Sequence, residues 1–284
     1  MLLGSGRGQR RRVSIYEIFP NFYQQIANMF ESAIIIWELL DSSWPRTRSR
    51  AGNGITVQVI MGKVWSRIVE FQGERYRRGT AFLLGSGDDQ LLITARHLCN
   101  DELEEVLLLR HPGTNDGNAY QLPAIRVGMD VAPTADFAIF RMTKPIVDVG
   151  ADVPLISDGL VFSQAAYILG YPFGLSLRPR STIQRLPIVK GCTVAGRKTT
   201  DDGVELIYVD ALVNPGFSGG PLVYIDQETK QTKFAGVIAK GGTGPIREPT
   251  DRELRKKRKP PKGPAGIGVV VSEDTFRAAI QRAQ

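Results

Sequence analysis

Cysteine and histidine are scarce in this 284-residue chain, which holds two of each. Two cysteines, Cys99 and Cys192, exclude a disulfide framework and a thiolate metal cluster. A single Cys99–Cys192 bridge stays open, with two reduced, buried thiols the favoured reading. Two histidines, His97 and His111, leave only two positions for an imidazole base. Long apolar runs are missing too. Ile34-Ile35-Ile36 is short and flanked by Glu31 and Glu38, so no span reaches the length of a membrane-crossing helix. The start, Met1-Leu2-Leu3-Gly4-Ser5-Gly6-Arg7, lacks the apolar core of a secretory leader. These scarcities together point to a cytoplasmic location.

What is present reads as a globular protein. Hydrophobic content of 42% and charged content of 23% are ordinary for one large domain or two small lobes. The net charge of +7 is unevenly spread. Arginines crowd the N-terminus (Arg7, Arg10, Arg11, Arg12, then Arg46, Arg48 and Arg50), and Lys/Arg crowd residues 252–262. A nucleic-acid binder more often carries its basic face on the folded core. Nucleic acid is therefore disfavoured as a partner, although the 252–262 run keeps it open beside two other readings, a solvated loop and a site for an acidic partner.

Residues 1–54 form a basic, partly helical extension and linker. Within it Phe22, Ile26, Met29, Phe30, Ala33, Trp37 and Leu40 recur at three- and four-residue steps, which predicts a helix over 21–40. That helix could dock on its own domain, self-associate or bind a protein partner, or belong to an upstream extension. From about residue 55 the texture changes to short β-rich runs separated by turn signals such as Gly85-Ser86-Gly87-Asp88-Asp89 and Asp201-Asp202-Gly203. Strands are expected at 55–60, 68–71, 80–84, 90–94, 106–110, 137–142, 166–169, 188–194, 205–209, 221–225, 234–239 and 266–271. About a dozen strands with few helices make the chain all-β, a barrel or a sandwich. Thr143–Leu160 reads as a connection, giving lobes of about 55–150 and 151–284 in the 55–284 domain. A short capped helix begins near Ser272-Glu273-Asp274.

The chemistry concentrates in three segments. Asn214-Pro215-Gly216-Phe217-Ser218-Gly219-Gly220-Pro221 sets a serine between glycines, which lets main-chain N–H groups approach a substrate carbonyl. A serine nucleophile needs a base and a group that orients the base. His97 stands at the end of a strand in Ile93-Thr94-Ala95-Arg96-His97, whereas His111 reads as a surface turn residue. Asp136 opens an apolar strand in Ala135-Asp136-Phe137-Ala138-Ile139, where a carboxylate is costly to bury without a partner.

With Gly79-Thr80-Ala81-Phe82 ahead of them, these segments resemble a trypsin-like serine protease in the order His, Asp, Ser. They resemble the HtrA-type branch more closely, as do Ile168-Leu169-Gly170-Tyr171-Pro172-Phe173-Gly174, Asp210-Ala211 and Gly266-Ile267-Gly268-Val269. The resemblance covers roughly residues 58–275. It implies two six-stranded antiparallel barrels and a serine endopeptidase acting through an acyl-enzyme on polypeptides, with no cofactor or metal. Ser218 would be the nucleophile, His97 the base and Asp136 its orienting group. The N–H groups of Gly216 and Ser218 would form the oxyanion hole. By the same resemblance Leu212 is the floor of the primary specificity pocket and Gly241 and Gly266 its walls. Ala239-Lys240-Gly241 is the edge that pairs with substrate. An apolar floor implies an apolar residue at the cleavage position (P1). The alternative is a catalytically silent binding module on the same barrels, recruited through the basic segments.

Two departures from the pattern stand out. Digestive trypsins place an aspartate before the serine, to pair with a new N-terminus, and HtrA-type proteins usually carry asparagine; here the position is Phe217. HtrA proteins usually append a PDZ module, and only about a dozen residues follow Val271, so a protease domain without that module is expected.

Overall fold

The computed structural model describes residues 64–72, 78–99, 105–110, 120–129, 132, 134–146, 152–177, 185–245 and 262–283. The helix expected over 21–40, the strand expected at 55–60, His111 and residues 252–261 of the basic run lie outside the described residues.

Twelve strands form two closed antiparallel barrels. The first contains β1 (Ile68–Gln72), β2 (Arg78–Leu84), β3 (Leu91–Thr94), β4 (Glu105–Arg110), β5 (Tyr120–Met129) and β6 (Ala138–Met142). They run in the spatial order β1-β2-β3-β6-β5-β4, and β4 returns to β1. The second contains β7 (Ala165–Gly170), β8 (Ile188–Thr199), β9 (Glu205–Asp210), β10 (Pro221–Ile225), β11 (Thr232–Pro245) and β12 (Lys262–Ser272). Its order is β10-β11-β12-β9-β8-β7, closed by β7 on β10. The expected two-barrel, all-β architecture is borne out. Closure leaves no sheet edge along most of each barrel.

Strand β2 shows why the strands near the barrel contact lack polar alternation. Ala81 and Leu83 turn inward and pack with Val69, Phe71, Leu92 and Phe140 inside the first barrel. Phe82 and Leu84 turn outward into a second cluster with Leu169, Val223 and Phe234 of the second barrel. The rings of Phe82 and Phe234 meet edge to face at 5.0 Å. Both faces are buried, so all of 79–84 is apolar except Thr80.

Among the described residues one α-helix, α1 (Glu273–Ala283), follows β12 where the capped signal predicted it. Phe276 on its inner face is buried against Phe137. The carboxylates of Asp158, Glu273 and Asp274 converge within 4.8 Å at the helix start. Arg277 pairs with all three, which makes the cluster an ion-pair network that ties α1 to the second barrel.

Candidate active site

His97 lies on a 3-10 turn, Arg96–Leu98, that closes β3. Leu98 is the buried anchor of that turn, and the Cys99 N–H closes it onto the Arg96 carbonyl at 2.9 Å. The imidazole, two residues before Cys99, is left 42% exposed on the surface. Asp136 immediately precedes Phe137 and β6, and β6 pairs with β3, so the register of two strands sets the carboxylate beside the imidazole. The carboxylate grips His97 at two points: Oδ2 lies 2.7 Å from Nδ1, and Oδ1 accepts the His97 backbone N–H at 2.9 Å. Such a grip makes Nδ1 the protonated nitrogen and Nε2 the basic one.

Ser218 lies in a loop pinned at nearly every main-chain group. The Phe217 N–H donates to Asn214 O at 3.2 Å and the Gly220 N–H to Phe217 O at 2.9 Å, giving two successive turns. The Gly219 N–H donates to Ile238 O, and the Ile238 N–H returns to Gly220 O, both at 2.8 Å. Outside the loop, the Phe173 N–H holds Pro215 O at 2.8 Å, the Thr80 N–H holds Ser218 O at 2.8 Å, and the Thr80 hydroxyl holds Gly216 O at 2.7 Å. Gly216 and Gly219 take φ of +101° and +83°, and a Cβ on Gly216 would strike the Tyr171 carbonyl. Among the described residues, two N–H groups of the run 216–220 have no acceptor: those of Gly216 and Ser218. The resemblance assigned that same pair to the oxyanion hole.

Contacts around Gly79 and Gly219 bring the three segments together. A Cβ on Gly79 would meet both Leu98 and the Ser218 carbonyl, and one on Gly219 would meet Thr94 and the Ala95 N–H. The His97 turn and the Ser218 loop are therefore in van der Waals contact across β2 and β3. The Ser218 hydroxyl donates to the Ala239 carbonyl at 3.3 Å.

Phe217 occupies the position where a digestive trypsin carries its aspartate. Its side chain is fully buried, and a Cβ on Gly170 would approach its ring at 3.0 Å. A buried ring here contributes about 1.5–3 kcal/mol of apolar transfer energy.

The residues expected to contact substrate lie beside this loop. Ala239 is buried, Lys240 is exposed and Gly241 is half-buried on β11. Beyond Ile238 the described strand pairing of β11 is with β12 alone, through Lys240↔Val269 and Gly241↔Gly268. Leu212 is half-buried, and its carbonyl accepts a hydrogen bond from the Lys190 ammonium, whose pKa burial pushes down. Gly241 faces Val213, and Gly268 packs against Val213 and Val209, whereas a Cβ on Gly266 would enter open space. Sequence reasoning set Thr80 and Gly268 within its motifs but assigned them no role, and it assigned none to Val213 and Lys190. Thr80 did leave a signal, a hydroxyl inside an otherwise apolar strand.

Both cysteines are free and half-buried rather than buried as expected, and partial desolvation pushes each thiol up to about 12. Among the described residues no helix is long and apolar enough to cross a membrane.

Residues 79–229 match the model of the trypsin-like peptidase domain. A DegP-like periplasmic serine endoprotease of Chlamydia pneumoniae is 31% identical over 176 residues, which is 60% of this chain and 31% of that protein. A namesake from Pseudomonas putida (strain GB-1) is 28% identical over 71% of this chain and 40% of its own length. The chain thus spans less than half the length of these curated relatives. Among solved structures, the Rv3671c protease of M. tuberculosis in its active form superposes with a TM-score of 0.55 at 16% identity, covering 84% of this chain and 93% of that one. HtrA-type protease AlgW with a decapeptide gives 0.53 at 16% identity, over 79% and 66%. At that identity the likeness shows the fold.

The names of the relatives overturn the expected cytoplasmic location, because they are periplasmic proteins. Scarce cysteines misled for a physical reason. A chain with two apolar barrels buries enough surface to need no disulfide staple, so its thiol count carries little information about compartment. The matched domain and the two-barrel fold make this chain a member of the trypsin-like peptidase family, and the curated relatives it matches are DegP-like serine endoproteases.

Proposed function

We propose that the chain is an endopeptidase in which Ser218, His97 and Asp136 cut peptide bonds through an acyl-enzyme. The observation that carries the reading is the two-point grip of Asp136 on His97, which aims Nε2 as a base. Ser218 Oγ bonds to the scissile carbonyl carbon while Nε2 takes the hydroxyl proton. Negative charge develops on the carbonyl oxygen, where the N–H groups of Gly216 and Ser218 receive it. Collapse breaks the C–N bond, and the amine leaves with the proton from His97. Water then attacks the ester with His97 again as base, and Ser218 is released.

Substrate would lie along β11 at Lys240-Gly241 as an added strand, since that side carries no described strand partner. Its P1 side chain would be apolar, resting among Leu212, Val213, Gly241 and Gly266. Lys190 leaves this preference intact by donating its ammonium to the Leu212 carbonyl. The relatives' names support action in the periplasm.

A fluorophosphonate probe tests the reading. It should label the wild type and not Ser218→Ala. A folded, monodisperse wild type that takes no label at neutral pH would leave the silent binding module as the function of the barrels. A peptide-library profile led by acidic or basic P1 residues would overturn the pocket assignment.

A further inference from the structure

Ser218 and its neighbours are held by a residue of the other barrel, and that residue uses every polar group it has. We propose that Thr80 is a positioning residue for the oxyanion hole, a strut that fixes the Gly216 peptide so that its N–H stays turned toward the reacting carbonyl. The inference rests on the roles proposed above for Gly216 and Ser218.

Thr80 is fully buried on β2 of the first barrel. Its hydroxyl donates to Gly216 O at 2.7 Å and accepts the Tyr171 N–H at 3.0 Å. Its own N–H donates to Ser218 O at 2.8 Å. Its carbonyl accepts the Thr94 hydroxyl at 2.8 Å, three residues before His97. One residue thus bonds to both residues of the hole, to the segment carrying Phe173, and to the strand carrying the base.

The need for such a strut follows from Gly216. A glycine at positive φ rotates freely where other residues cannot, and a flip of the Pro215–Gly216 peptide would put a carbonyl where the hole needs a donor. Two bonds oppose the flip. Phe173 holds Pro215 O from one side, and in a trans peptide that turns the Gly216 N–H the opposite way. Thr80 holds Gly216 O on the other side, fixing the next peptide plane. Removing the hydroxyl while keeping the shape, as in Thr80→Val, strips Gly216 O of its donor and the Tyr171 N–H of its acceptor inside the core. Thr80→Ser keeps both bonds and loses only a methyl group.

The test compares wild type, Thr80→Val and Thr80→Ser by turnover of a peptide substrate and by amide hydrogen exchange over 171–174 and 214–220. For the valine variant kcat should fall on the order of 10²-fold, the loss seen when one oxyanion donor is removed, with KM within about threefold. Exchange in both segments should speed up. The serine variant should keep kcat within about threefold and wild-type exchange. A folded valine variant with wild-type kcat and exchange would overturn the strut, as would a serine variant as impaired as the valine one. If the valine variant does not fold, the serine variant decides alone: retention of rate and exchange supports the strut, and loss of both overturns it. Failure of the endopeptidase reading looks different, because all three proteins would then lack turnover and fluorophosphonate labelling. The exchange comparison would still decide the strut.

Discussion

Phe137, the residue after Asp136, packs its ring on Phe276 of α1 with centroids 4.8 Å apart. Both rings are fully buried, so the last helix of the chain braces the backbone that carries the proposed orienting carboxylate. Phe276→Ala should lower stability by about 3–5 kcal/mol, read as a fall in denaturation midpoint. Activity of the fraction that stays folded should fall as well. Full activity in a destabilised variant would show that the brace serves stability alone.

Asp136→Asn preserves shape and removes charge. The expected outcome is a folded protein whose kcat is lower by about 10⁴-fold, because the amide favours the wrong imidazole tautomer. Kinetics beside a thermal melt would measure it, and retained turnover would remove Asp136 from the mechanism.

Phe217 should tolerate neither loss of its ring nor a charge. Phe217→Ala should cost about 3–5 kcal/mol by opening a cavity under the Ser218 loop. Phe217→Asp should be no milder, because the fully buried site would then hold an acid in place of an apolar ring. Chemical denaturation of both variants tests this.

The thiols of Cys99 and Cys192, pushed up to about 12 by partial desolvation, should resist iodoacetamide at pH 8 in the native protein. Both should alkylate once guanidinium unfolds the chain. Rapid native labelling of either would contradict the desolvation described.

Asp202, in the hairpin between β8 and β9, accepts hydrogen bonds from the hydroxyls of Thr134 and Thr200 and so links the two barrels. Those hydroxyls, Thr134 first, hold its carboxyl down at about 2, against an ordinary 3.8. A lowered folded-state pKa stabilises above the unfolded value and loses that stability as pH falls through the folded one. The melting difference between wild type and Asp202→Asn should therefore be constant above about pH 5 and close toward about pH 2. A difference that grows in acid would refute the assignment.

Much of the architecture was legible in the sequence, and the omissions have physical causes. Strands β1, β2, β3, β4, β6, β7, β9 and β10 emerged within two residues at each end because short β-rich runs stand out between turn signals. Strand β5 was missed: Pro123 and Gly128 break its pattern, and a register shift between Arg126 and Gly128 shows the ladder accommodating the break. Strands β8 and β11 run several residues past their apolar cores for the same reason, with shifts at Val194/Gly196, Ile238/Lys240 and Gly241/Thr243. Of the proposed site, His97, Asp136 and Ser218 could be nominated because the chemistry restricts their residue types and the chain has few histidines. The supports of the loop could not. Thr80, Phe173 and Ile238 act through main-chain atoms or a single hydroxyl, and any pairing 91 or 136 residues apart in sequence is invisible before folding.

The burial of Phe217 and the bonds from Thr80 have a consequence for titration. Where a nucleophile loop is anchored by an α-ammonium, the anchor loses its charge once the solution passes that group's pKa, about 7.7–8.0 before the ion pair raises it. The supports described here are a phenyl ring, a threonine hydroxyl and main-chain amides, none of which has a proton to give up in that range. Among these supports neither alkali nor added salt has a charge to act on, so they hold where a charged anchor would relax.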